Sequence, residues 1–192
     1  MNVFRVIHGD LKQGFLDFDS YDLAMQLGGD DIEDFLYDQP ITNEPISSIW
    51  KSNVTCNVMP YFQNGSVKFP DLSRWGGHTL IVSEKAKSLL ENEFECSGEL
   101  LPLTVSGTAM YIYNCLTFGD EDTELTTNEY DAGIKVGLKS LAFIEEDIAK
   151  KPLFKSKLAG TTRLFANSDF KSKVESFGLT GIKFDCDLLG AL

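Results

Sequence analysis

Long apolar runs are missing from this chain of 192 residues: none approaches the roughly 18 consecutive apolar positions of a membrane-spanning helix. Histidine is scarce as well. Only His8 and His78 occur, so the commonest general base and metal ligand near neutral pH has two candidate positions. His78 follows Trp75-Gly76-Gly77, a loop that could expose it, although a loop histidine bonded to backbone or solvent explains the same pattern. The four cysteines, Cys56, Cys96, Cys115 and Cys186, form no C-x-x-C pair, which excludes a zinc knuckle and a thioredoxin-like motif. Cys56 and Cys115 stand in apolar, strand-like contexts and read as small core residues. The opening stretch MNVFRVIHGDLKQGF holds no apolar core of signal-peptide length, so a cytoplasmic chain without disulfides is expected. No G-x-S-x-G, H-E-x-x-H, Walker loop or G-x-G-x-x-G occurs. Taken together these absences point away from an enzyme and away from a cofactor or metal.

What the chain does have is acid. Asp and Glu number 29 against 17 Lys and Arg, a net charge of −12. Such a surface repels phosphate backbones, which argues against nucleic acid, and it attracts basic partners. It also serves plain solubility. The charge is unevenly spread: from Asp10 to Glu44 there are ten acids and one base, Lys12, whereas from Glu145 to Lys173 seven bases face four acids. The acids concentrate at Asp30, Asp31, Glu33 and Asp34. As paired carboxylates they could do acid–base work, but clustered like charges beside a turn read more simply as exposed surface. The loop from Asp120 to Asp131 resembles a calcium loop only in outline, with Leu125 where the sharp turn wants Gly and no bidentate Glu at the twelfth position.

Along the chain, Val3 to Ile7 suits an opening strand, and Ile32, Phe35 and Leu36 are spaced for a helix face or a half-buried strand, with Pro40 and Pro45 as stops. Asn53 to Met59 reads as a strand, and Gln63 to Phe69 as the turn and return of a hairpin. Thr79 to Val82 predicts a buried strand running into a helix over 84–91 that is capped by Ser83 and buries Ala86, Leu89 and Leu90. Strands over 99–105 and 109–118 follow around Ser106-Gly107, and another lies near 136–143. The strand-cap-helix grammar returns at Arg163 to Ala166, with Ser168 as cap, Asp169 in the first turn, and Phe170, Val174 and Phe177 on one face before Gly178. Strands and helices without regular alternation predict an α+β fold, mostly antiparallel sheet with a few short helices, in one body or two closely packed lobes.

Residues 70–184 resemble a bacterial immunity-protein family, the one numbered eleven among polymorphic-toxin systems and formerly a domain of unknown function. The pieces that carry the likeness are Leu80-Ile-Val-Ser-Glu-Lys-Ala-Lys-Ser-Leu-Leu90, Glu99-Leu-Leu-Pro102, Leu164-Phe-Ala-Asn-Ser168 and Phe177-Gly-Leu-Thr-Gly-Ile-Lys-Phe184. On that basis the chain divides into an acidic N-terminal subdomain, residues 1–69, whose structure the sequence leaves open, and an immunity-family-like α+β domain over 70–192. Every matched position is a cap, a core residue or a turn glycine, so the resemblance carries no catalytic residue. It implies an antidote that captures a cognate secreted antibacterial toxin, and the acidic excess suits a basic, nuclease- or deaminase-like toxin. Asp30, Asp31, Glu33 and Asp34 form the candidate toxin-binding patch. A homodimer stays open, as do an enzyme that reverses the toxin's damage and an adaptor that escorts it.

Overall fold

Strands with apolar side chains on both faces need cover on both, and the middle of this chain is written that way. In β5 (Thr79–Ser83), Leu80 and Val82 enter one buried cluster while Ile81 enters another. In β7 (Thr108–Cys115), Tyr113 and Cys115 join the first cluster, and Met110 and Ile112 the second. This period of two fixes the layers. The computed structural model describes residues 1–9, 15–59 and 69–190.

These two strands lie inside a six-stranded sheet of order β2-β3-β6-β7-β5-β4, completed by β2 (Phe15–Asp17), β3 (Thr55–Met59), β4 (Leu72–Trp75) and β6 (Gly98–Val105). Its pairings are antiparallel except β3 with β6. The β6–β7 hairpin turns at Ser106-Gly107, where both residues have positive φ, 46° and 82°, as a two-residue hairpin turn requires. A second, four-stranded antiparallel sheet runs β10-β11-β1-β12, made of β10 (Leu153–Lys155), β11 (Leu164–Asn167), β1 (Val3–His8) and β12 (Ile182–Asp185). The remaining pair, β8 (Thr127–Asp131) and β9 (Ile134–Ser140), is a largely exposed hairpin. The fold is α+β with sheet dominant, as the sequence pattern implies.

The first cluster lies between the two large sheets, where Val6, Leu153, Leu164 and Ala166 of one meet Leu72, Leu80, Val82 and Tyr113 of the other. Two helices close it: α3 (Glu84–Glu95) with Ala86, Leu90 and Phe94, and α5 (Ser168–Ser176) with Phe170 and Val174. Gly181 lets the sheets meet. Its φ is +109°, and a Cβ there would stand 1.8 Å from the Leu72 carbonyl oxygen. The second cluster sits on the other face of the six-stranded sheet, beneath α1 (Ser20–Leu27) and α2 (Asp31–Thr42). A smaller aromatic group, Phe143, Phe154 and Phe165, packs with Ile148 of α4 (Glu145–Ile148).

Several sequence expectations need correction. Pro40 does not end its helix; α2 continues to Thr42 and stops at Asn43, which adopts the left-handed conformation with φ 63°. Near a C-terminus, proline removes one helical bond and leaves the following turn intact. The cap of α5 is Asn167, not Ser168: its Oδ1 accepts from the Phe170 N–H at 2.9 Å, while its Nδ2 donates to the Ile148 carbonyl at 3.0 Å. The Ser83 cap is as expected, with Oγ accepting from the Ala86 N–H at 3.1 Å. α3 runs four residues past the predicted end, bending at Leu90 (φ −128°), and its Leu89 is 40% exposed. Phe177 likewise faces outward at 41%. The hairpin expected around Gln63 to Ser66 lies outside the described residues.

Candidate functional site

The acidic segment folds as a pair of helices laid on the second core. Asp19 starts α1, accepting from the Asp22 N–H at 2.7 Å, and Leu23, Ala24 and Leu27 face the sheet. In α2 the apolar Ile32 and Leu36 face the same core. Asp31, Glu33 and Asp34 therefore occupy the first turn of α2, where carboxylates complement the partial positive charge of the helix N-terminus, and Asp30 sits at the preceding cap position. Asp30, Asp31 and Asp34 are exposed and Glu33 is half-buried. Among the described residues none of the four forms a salt bridge. Beside them, one helical turn apart, Tyr37 is 80% exposed and Ile41 66% exposed, flanked by Asp34 and Asp38. On α1 the same spacing brings out Tyr21 and Met25. The face thus carries apolar anchors within a rim of acid, with no lysine or arginine in either helix.

Behind this helix pair, a cavity of about 300 Å³ opens between α1, α2 and the sheet. Leu23, Leu36, Ile46, Trp75 and Ile112 supply most of its wall, with Gln39, His78, Thr79 and Asn114 between them and the exposed Asp19 and Ser20 at its mouth. The orientation of the polar groups follows from their partners. Glu99 accepts the Ile46 and Ser47 N–H groups at 2.8 and 3.2 Å, so as a carboxylate it takes the Asn114 amide nitrogen, also at 2.8 Å, and leaves the Asn114 oxygen turned away. Gln39 donates its amide nitrogen to the Glu44 carbonyl at 3.0 Å, which turns its oxygen to His78 Nε2 at 2.9 Å. His78 must then carry its proton on Nε2, leaving Nδ1 a bare acceptor. Burial and the nearby Lys155 cation lower the His78 pKa to about 3, so the ring stays neutral.

Lys155 is the unexpected member of this region. It is fully buried, donates to the Pro40 carbonyl at 2.9 Å and lies 4.7 Å from the centre of the Phe118 ring. Burial lowers its pKa from 10.5 to about 8. In sequence it counts only as one of the seven bases between Glu145 and Lys173. The available signal was the strand Leu153-Phe154-Lys155, in which position 155 shares a face with buried Leu153.

The other sequence candidates have structural work to do. His8 ends β1, its pKa drawn down by burial and by the Arg74 cation, and no hydrogen bond joins it to His78. The acidic loop uses Asp122 to hold the Glu124 and Leu125 N–H groups, and Glu121 to hold Ser156, Lys157 and Leu158. Among the described residues no cysteine is joined in a disulfide, and Cys56 and Cys115 are buried. Among the described residues no three His, Cys, Asp or Glu side chains are grouped to hold a metal, and no helix is long and apolar enough to cross a membrane. A scan against protein-family models and a search of curated proteins returned no match.

Proposed function

We propose that this chain is an immunity protein that captures a cognate antibacterial toxin stoichiometrically in the cytoplasm, with the α1–α2 face as its recognition surface. The observation that carries the reading is the composition of that face: exposed Tyr37 and Ile41 inside a rim of carboxylates that have no salt-bridge partner among the described residues. Aromatic anchors within a polar rim are what binding hot spots are made of, and uncompensated acid steers a basic partner to them. The resemblance of residues 70–184 to an immunity family supplies the class of partner, a secreted antibacterial toxin, and the net charge of −12 suits a basic, nuclease- or deaminase-like one.

Charge reversal separates the two contributions. With Asp30, Asp31, Glu33 and Asp34 replaced by Lys, association with the toxin should slow several-fold at low salt and lose most of its dependence on ionic strength. Stopped-flow rates across salt concentrations, with circular dichroism as folding control, test this. A variant that associates like the parent would make the patch a solubilising face and move the interface elsewhere.

A further inference from the structure

A half-buried arginine usually faces an acid, and a chain with 29 acids against 17 bases has acids to spare. Arg163, just before β11, is half-buried and forms no salt bridge among the described residues. Its Nη1 donates to the Leu188 carbonyl at a long 3.4 Å, which holds the guanidinium against the C-terminal segment. Its Nε and Nη2 form no hydrogen bond among the described residues, and neither is closed to solvent. They are donors that a ligand can reach. Arg163 lines a cleft of about 290 Å³ between β9 and the connection from β10 to β11, close to the lower end of small-ligand sites. The other charged residue of its wall is Lys135 of β9, which is exposed and likewise has no salt bridge. No carboxylate lines the cleft among the described residues. Asp187, close in sequence, accepts the Leu189 N–H at 3.1 Å, and Glu129, across the hairpin from Gly137, is exposed and forms no ion pair. The excess of bases between Glu145 and Lys173 favours an anion here despite the acidic whole. A guanidinium fork matches a carboxylate in two parallel bonds, and such charge-assisted bonds are the strong ones. Beside the two cations stand Leu138, Leu158 and Leu189, from three separate segments, with Leu158 47% exposed. An occupant with an apolar group next to its charge covers them.

We propose that this cleft binds a small monocarboxylate that bears a branched aliphatic group, with the carboxylate on Arg163 and Lys135 and the aliphatic group against Leu138, Leu158 and Leu189. The proposal stands apart from toxin capture, and its test needs no toxin.

Amide NMR titration of the full chain at constant ionic strength decides it, with 4-methylpentanoate, 4-methylpentanamide, acetate and inorganic phosphate as probes. 4-Methylpentanoate should bind in the low-millimolar range, with shifts centred on Gly137, Leu158 and Arg163. The amide, which lacks the charge, should bind at least about tenfold more weakly. Acetate and phosphate, which lack the apolar group, should do the same. Arg163→Gln should weaken 4-methylpentanoate at least about tenfold, and Leu158→Ser should narrow its advantage over acetate. Absence of binding at tens of millimolar 4-methylpentanoate would overturn the proposal. So would equal binding of the amide, or of acetate or phosphate, or shifts centred away from the cleft. Undiminished binding in a folded Arg163→Gln variant would overturn it as well. Since the four probes are compared on the unaltered protein, the result does not depend on a variant folding.

Discussion

Replacing Lys155 by Met gives the sharpest test of the structure's electrostatics. The side chain is fully buried, its ammonium is held by the Pro40 carbonyl and the Phe118 ring, and burial lowers its pKa to about 8. Below that pH both native and unfolded chains carry the charge, and the full penalty of burying it applies. As pH rises through 8 the native lysine releases its proton while the unfolded one keeps it to about 10.5, so stability rises with pH in that window. The gain by pH 10 is about 2.5 kcal/mol. Methionine has similar volume and no charge, so the variant lacks this rise. It also leaves the Pro40 carbonyl bare, at about 1–3 kcal/mol, which brings the two proteins to similar stability near pH 7. Urea unfolding of both proteins at pH 7, 8, 9 and 10 is the assay, since other titrating groups cancel in the difference. The parent should gain on the variant steadily above pH 8. A difference that stays constant from pH 7 to 10 would refute the burial of a charged Lys155.

Two further expectations come from the same physics. His78 is held neutral with a pKa near 3 against an ordinary 6.5, so the unfolded chain takes up a proton that the native one refuses, and stability is lost as pH falls below 6.5. His78→Gln should flatten that acid limb, and urea midpoints at pH 7 and 5 that shift equally in both proteins would argue against it. Ser83→Ala should cost about 1 kcal/mol and Asn167→Ala about 2, since the latter loses a cap and a buried bond, whereas Ser168→Ala should stay within about 0.5. Denaturant titrations that rank Ser168 above Asn167 would show the cap to be misplaced.

The parts legible in the sequence are those that local rules decide. Strand, cap and first-turn acid at Thr79 to Glu84 were readable because each is fixed by neighbours a few residues away. At Asn167-Ser168 two good capping residues stand side by side, and the choice fell to Asn167 through its long-range bond to Ile148, which no local pattern contains. Leu89 and Phe177 fit the helical period and still face outward: Leu89 adjoins the bend at Leu90, and Phe177 is the residue at which α5 ends. The acidic patch was visible as composition, but its neighbours Tyr37 and Ile41 became part of one face only once α2 was formed. The cavity was not legible at all. Gln39, His78 and Asn114 come from three separated segments, and the orientations of their amides depend on Glu44 and Glu99.

The proposed stoichiometric capture is tested most directly on the product of the adjacent gene: if that product is toxic, its activity is titrated with the purified protein. Capture predicts that activity falls linearly and ends at one equivalent, with the two chains eluting together as a one-to-one complex. Silencing by far less than one equivalent would show turnover, and a stable complex with undiminished toxin activity would show an adaptor; either result contradicts the account.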